Sequence, residues 1–385
     1  VRILFTTRPL TGHVEPLRPL AAAASDRGHD VAFATGEPAL SELRERGLRC
    51  FEAGRGSDTH GEFAERTRQL EAVEPIDRRI AFFTELFIGI ELEPRLDGLL
   101  GVIDEWRPDV IVHEAAEPAA PIAAAIAGIP YATVGFGALL PDRLLEACAV
   151  AAAPHWRSRG LEPPPHAGFY RHLYVDPFPP SLQPPGIARP VTQPARLTPV
   201  VETDLSAAPA WITGLAREPT VYITLGTVWN RDLSLFDAAL AAVDGLAVNV
   251  VVTLGANGDP AALGEQPANV HVHRFVPQRL VLPFCDVMVC HGGSGTMLGG
   301  VAHGLPQLVL PQGADQFANA DLLAATGAGR ALLRGDCTPA AIRHAVGELL
   351  EHDAVHVAAR RLRDELDAMP GPAVAIERVE ELARA

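Results

Sequence analysis

The stretch His291-Gly292-Gly293-Ser294-Gly295-Thr296 places glycines, two hydroxyls and an imidazole within six positions. It follows the apolar run Val287–Cys290 and precedes a small-residue segment, which reads as a strand turning into a helix. Unpaired N–H groups at a helix N-terminus attract an anion, and glycine lets a phosphate come close to the backbone. Ser294 and Thr296 add hydroxyl donors and His291 adds a ring N–H, so the residues predict a diphosphate cradle. The plain alternative is a glycine-rich turn with no ligand. A second group belongs to acid–base chemistry. His13 follows Gly12 in the loop after the first strand, near a helix N-terminus, where positive charge is disfavoured and an imidazole stays neutral and basic. Glu114 directly follows the strand Val110–Val112. A carboxylate there could take the ring N–H of His13, fix its tautomer and stabilise the imidazolium. The alternative for a lone loop histidine is a structural role.

Three further strand ends carry candidates. Thr227 follows Leu225-Gly226 and could reach the same diphosphate. Phe275-Val276-Pro277-Gln278 could frame a planar base. Asp315 and Gln316 offer a carboxylate and an amide suited to sugar hydroxyls, although Asp315 is also a good helix cap. His113-Glu114-Ala115-Ala116-Glu117 imitates a zinc motif but lacks the second histidine and follows a strand, so no metal is expected.

Composition removes whole classes. The sequence has no lysine, which excludes a Walker P-loop and Schiff-base or pyridoxal chemistry. A formal net charge of −15 argues against nucleic acid and anionic lipid. No apolar run is long enough for a membrane span. The first strand begins at Val1, leaving no room for a signal peptide, and the five scattered cysteines suit reduced thiols, so a cytoplasmic location is expected.

The elements that must hold these residues form a β-α-β rhythm. Strands are expected at Val1–Thr6, Val31–Ala34, Val110–Val112 and Tyr131–Val134, with helices over Pro16–Arg27 and Pro118–Ala127. Arg79 to Leu100 reads as one longer helix, in which Phe82, Phe83 and Phe87 are either core or, with Phe136, the lining of an acceptor pocket. A proline-crowded stretch, Asp176 to Pro199, reads as extended and ends in an interdomain connection. A second rhythm follows, with strands at Val221–Leu225, Val248–Thr253, Val270–His273, Val287–Cys290 and Gln307–Leu310. The reading is α/β, with two Rossmann-like domains of parallel sheets facing across a cleft: residues 1–200 and 206–368, then a terminal helical segment, 369–385.

Together, the N-terminal Gly12-His13, "FVPQ", "HGGSGT" and "AHGLPQLVLPQGADQFANA" resemble the inverting GT-B glycosyltransferases of family 1, above all the bacterial branch that decorates polyketide antibiotics. The resemblance covers nearly the whole chain and is most specific from Phe275 to Asn319. It implies that His13 is the catalytic base and that Glu114 stands where many relatives carry an aspartate. It further implies base contacts from Phe275, Val276 and Gln278, and diphosphate contacts from Thr227, His291, Gly293, Ser294, Gly295 and Thr296. Donor-sugar contacts would come from Asp315 and Gln316. The C-terminal segment would cross back onto the N-terminal domain. Plant members hold the ribose with a glutamate at the position of Gly299, so a dTDP-sugar is the expected donor, with UDP-sugars as the alternative. No cofactor is expected; the partners are a nucleotide sugar and a small-molecule aglycone, and a homodimer is admitted. Glu114→Gln is expected to cost less than His13→Ala. The rival readings are a sugar-nucleotide epimerase or hydrolase of the same fold, and a non-catalytic nucleotide-sugar-binding helper protein. Turnover with and without an aglycone separates them.

Overall fold

The computed structural model describes residues 1–54, 60–70, 73, 75–190, 192–198, 205–216, 218–226, 233–255 and 258–385. The chain divides into two compact units. The first comprises Val1–Phe178, Pro184–Leu197 and Met369–Ala385, and the second Pro179–Gln183 with Thr198–Ala368. The short stretch Pro179–Gln183 thus packs with the second unit although it lies inside the expected first domain; Glu365 accepts the Ser181 backbone N–H at 2.8 Å.

In the first unit the sheet strands are β1 (Arg2–Thr6), β2 (Asp30–Thr35), β3 (Arg49–Glu52), β4 (Val110–Glu114), β5 (Tyr131–Val134), β6 (Leu173–Asp176) and β7 (Thr192–Pro194). Their order is β3-β2-β1-β4-β5-β6-β7 and every pairing is parallel. Alternate residues serve opposite faces. Leu4, Ala32 and Ile111 join a core with the helices Leu92–Trp106 and Ala119–Ala127, while Ile3, Phe5, Phe33, Val110 and Val112 pack with the helix Arg18–Asp26. The proline-rich stretch is more ordered than an extended connection: its last part supplies the edge strand β7, where a missing N–H is tolerated.

The helix Pro372–Arg384 belongs to this unit. Its Ala375, Ile376 and Val379 are fully buried in the second face of the sheet. Burial of large apolar side chains contributes about 1.5–3 kcal/mol each. Glu380 adds a polar lock, accepting from Arg27 Nε at 2.6 Å and lying 2.7 Å from His29 Nε2.

The expected single helix from Arg79 to Leu100 is corrected. A helix Pro75–Ala81 runs into a π-helix, Phe82–Ile90, and a separate helix starts at Leu92. The Glu91 N–H closes the π-helix on Leu86 O at 3.0 Å. A π-helix turns side chains away from the 3.6-residue stripe, which is why apolar spacing alone does not reveal it.

The second unit holds β8 (Thr220–Thr224), β9 (Asn249–Thr253), β10 (Val270–His273), β11 (Val287–Cys290), β12 (Gln307–Val309) and β13 (Gly329–Ala331), in the order β10-β9-β8-β11-β12-β13 and again parallel. Val221, Ile223, Val250, Val252, Val287 and Val289 are buried against the helices Leu233–Val243 and Pro339–Glu351. Such continuous β-branched runs are what a parallel sheet covered on both faces requires.

Candidate active site

In each sheet the strand order reverses at one point, between β1 and β4 in the first unit and between β8 and β11 in the second. The carboxyl ends of strands at such switch points are where open α/β sheets bind ligands. His13 and Glu114 lie at the first switch point, and His291 at the second.

Glu114 is the last residue of β4 and is fully buried. Its Oε1 lies 3.1 Å from His13 Nδ1. Neither atom has an aligned hydrogen-bond partner, so the contact is an ion-pair approach at hydrogen-bond distance with the N–H still off axis. Candidate catalytic hydrogen bonds are often poorly aligned before substrate arrives. Oε2 accepts the Ala116 N–H at 2.5 Å. Burial by itself raises the Glu114 carboxyl, but His13, the Ala116 N–H and Arg8 together outweigh it and hold the group below the ordinary glutamate value. His13 keeps part of its surface exposed and is flanked by Phe136, with ring centroids 5.0 Å apart, and by Phe87, edge-on at 6.4 Å. Phe82 and Phe83 reach Phe87, at 6.5 and 5.0 Å, and Phe83 is buried in the core.

His113, one residue before Glu114, is structural. Its Nδ1 donates to Glu114 O and its Nε2 accepts from Thr133 Oγ1, each at 2.9 Å. Burial lowers it to about 4, so the ring is neutral and spoken for. Among the described residues no group of three or more His, Cys, Asp or Glu side chains could hold a metal ion, and no helix is long and apolar enough to cross a membrane.

A set of buried charges beneath His13 has no sequence signature. Arg8 pairs with Glu91, and Arg95 with Glu117. Arg95 also donates to Ala53 O at 3.0 Å and Thr7 O at 2.9 Å, which anchors the end of β1. Burial pushes the Glu117 carboxyl up, against the opposing pull of Arg95. The sequence distances between residues 8, 91, 95 and 117 follow no motif, and charges on helices read as solvated faces. Only the adjacency of Arg8 to the His13 loop was visible.

In the second unit, Gly293 stands at the N-cap of the helix Ser294–Ala302 and no side chain caps that terminus. The first N–H groups therefore remain open to an anion. His291 is buried and fits between two glycines: a Cβ at Gly226 would lie 2.6 Å from its ring, and one at Gly293 2.4 Å. Burial holds its ring at about 4, with Asp315 pulling the other way, so His291 is neutral and its Nδ1 is unpartnered. Ser294 Oγ donates to Asp315 Oδ2 at 2.6 Å, and Asn319 Nδ2 donates to Gly292 O at 2.9 Å and to Ser294 Oγ and Asp315 Oδ2 at 3.1 Å. Asp315 occupies the N-cap position of the next helix, yet its side chain does not cap it; it ties the loop to Ser294 instead. Gln316 Oε1 accepts from the N–H groups of Gln312 and Gly313, at 2.8 and 3.1 Å, so this oxygen shapes the loop. Asn319, which joins the two loops, lay in the motif but carried no expected role.

Gly295 is exposed and Thr296 half-buried on the first turn of the same helix. Val276 is buried and Phe275 is 61% exposed, a bare ring at the end of β10. Gln278 Oε1 faces Gly299, where a Cβ would lie 3.3 Å away. Thr227 lies outside the described residues.

Two doubly wound parallel-sheet units of this kind define the GT-B fold, and solved structures similar to this chain are GT-B glycosyltransferases. Residues 22–226 match the N-terminal domain, and residues 237–382 the C-terminal domain, of the erythromycin biosynthesis protein CIII-like family. L-demethylnoviosyl transferase of Streptomyces niveus is 32% identical over 98% of this chain and 97% of its own length. The glycosyltransferase SnogD from Streptomyces nogalater superposes with a TM-score of 0.79 at 30% identity, covering 100% of this chain and 99% of SnogD. Spinosyn rhamnosyltransferase SpnG superposes with a TM-score of 0.81 at 26% identity, covering 99% of this chain and 100% of SpnG. The chain belongs to the erythromycin biosynthesis protein CIII-like family and is a glycosyltransferase of natural-product biosynthesis.

Proposed function

We propose that the enzyme transfers a sugar from a dTDP-sugar to a hydroxyl of a polyketide-type aglycone, with inversion and without a metal ion. The observation that carries the reading is the His13–Glu114 pair, 3.1 Å apart, on a fully buried carboxylate that is held ionised. With Nδ1 directed to Glu114, His13 Nε2 is the basic nitrogen. It takes the proton of the acceptor hydroxyl as that oxygen bonds to the anomeric carbon and the bond from that carbon to the diphosphate breaks. A single displacement inverts the centre. The departing dianion would be received by the uncapped N-terminus at Ser294, the Thr296 hydroxyl and a neutral His291 acting as a ring N–H donor. These donors supply what a divalent cation would otherwise supply. A small-molecule acceptor and a thymidine nucleotide are supported by SpnG, whose structures have been determined with spinosyn aglycone and with thymidine diphosphate.

Turnover of a dTDP-sugar with and without a polyketide aglycone, in excess chelator, tests the reading, with the anomeric configuration of the product read by NMR. Inverted product in chelator is expected. Free or epimerised sugar without acceptor, a retained configuration, or activity restored only by magnesium would each overturn it.

A further inference from the structure

Arg8 is 2% exposed and lies among charged groups that include Glu114, the carboxylate beside His13, which sits on the short helix Thr11–Val14. Its guanidinium carbon sits 3.8 Å above the ring of Phe87 and 5.3 Å from that of Phe63. Phe87 in turn stands edge-on to His13. Arg8 Nη1 pairs with Glu91, the residue that closes the π-helix carrying Phe87. Arg8 therefore grips that π-helix at its ring and at its end, on the side where it walls His13. Its Nε is buried with no partner, an expensive arrangement for a residue with no task.

Resting on the general-base reading of His13, we infer that Arg8 is a positioning residue for the transfer: it seats Phe87 against His13 and its fixed positive charge keeps the His13–Glu114 pair in its proton-accepting form. An arginine stays protonated in a protein, so its charge is constant across the working range. The charged groups around it are Glu91 from the end of the π-helix, Arg95 from the next helix, and Glu114 and Glu117 after β4. Arg66, on the separate helix His60–Leu70, pairs with Glu85 of the π-helix.

The sign of the effect follows. Loss of a cation makes protonation of the dyad easier, so activity is lost to acid at a higher pH; loss of an anion does the opposite. The experiment is the pH profile of kcat/KM for the full-length enzyme with dTDP-sugar and aglycone. Arg8→Met moves the acid limb up by roughly half a unit to one unit, and Glu91→Gln moves it down by a smaller amount. Arg8→Lys keeps the charge but not the flat face; it holds the wild-type limb and raises the acceptor KM about threefold to thirtyfold. A looser fold would shift both charge variants in the same direction or neither. A limb that stays put in either variant, or moves the same way in both, overturns the electrostatic role, and an unchanged KM in Arg8→Lys overturns the seating of Phe87. Should Arg8→Met not fold, Glu91→Gln decides, a downward move supporting the inference and any other result overturning it. Failure of the underlying reading looks different: the wild type has no acid limb, or His13→Ala keeps full activity.

Discussion

His13 and His291 stand beside the switch points of two similarly wound sheets, yet their surroundings differ in kind. His13 has a buried carboxylate at 3.1 Å, two buried arginines nearby and an aromatic wall. His291 has glycine backbone beside its ring, and burial holds it at about 4. The first ring has an ionised carboxylate as its neighbour. At the second, burial outweighs the opposing pull of Asp315 and the ring stays neutral. Under the proposed mechanism the same residue on the same architecture serves as a base in one unit and as a hydrogen-bond donor in the other, because its partners differ.

His13→Ala is the strongest test of that contrast. General-base catalysis is worth about 10²- to 10⁴-fold, so kcat/KM on an alcohol acceptor falls in that range while donor binding, read by calorimetry, is kept. A phenolic acceptor, already more acidic, loses less. Full activity on an alcohol would erase the difference between the two histidines.

Glu114→Gln follows closely, with a loss smaller than that of His13→Ala. The Ala116 N–H takes one oxygen of Glu114 at 2.5 Å, so a glutamine must turn its own oxygen that way. Its NH₂ then faces His13 Nδ1, which becomes an acceptor, and the proton moves to Nε2 where the base is needed. A loss of about 10²- to 10³-fold is expected, approaching that of His13→Ala. A loss of only a few fold would show that His13 does not depend on this carboxylate for its tautomer.

The second unit is probed by Gly293→Ala. Its Cβ would fall 2.4 Å from the His291 ring, and the backbone of Gly293 is not in the left-handed region, so the collision is the only defect introduced. Displacement of the ring weakens dTDP binding by about tenfold or more, with kcat at saturating donor little changed, because one charge-assisted hydrogen bond is worth about 1.5–3 kcal/mol. Unchanged affinity would take His291 out of the cradle.

The smallest effect concerns the nucleotide. Gly299 offers no side-chain acceptor to a ribose hydroxyl, and a site that merely lacks such a partner discriminates by at most about 10²-fold. dTDP is expected to bind roughly tenfold to a hundredfold more tightly than UDP in parallel titrations. Equal affinity would point to Gln278, whose Oε1 faces Gly299, as a ribose partner.

Much of the second unit was legible because its parts are contiguous. The turn from His291 to Thr296 carries its strand end, its helix start and its anion donors in a few residues; Gly292 takes the left-handed backbone there and Gly293 makes room for the His291 ring. Parallel strands at Val221, Val250 and Val287 announced themselves as short, Val-rich, nearly continuous apolar runs. His13 and Glu114 could be named singly, the first beside Gly12 in the connection after β1 and the second at the end of β4. What the sequence could not supply was anything held together only across the fold. Glu114 meets His13 because β4 lies beside β1, and a hundred residues of chain separate them. Arg8, Arg95 and Glu117 are buried and paired, Arg8 with the half-buried Glu91 and Arg95 with Glu117, by packing that no local pattern announces. The π-helix at Phe82–Ile90 departs from the helical period, and Asp315 forgoes its cap for Ser294. Short-range backbone preference is written residue by residue, so the sequence determined the strands, the glycine turn and the candidate base. Burial and charge balance are sums over distant neighbours, so only the tertiary structure decided which of the charges gather near that candidate base.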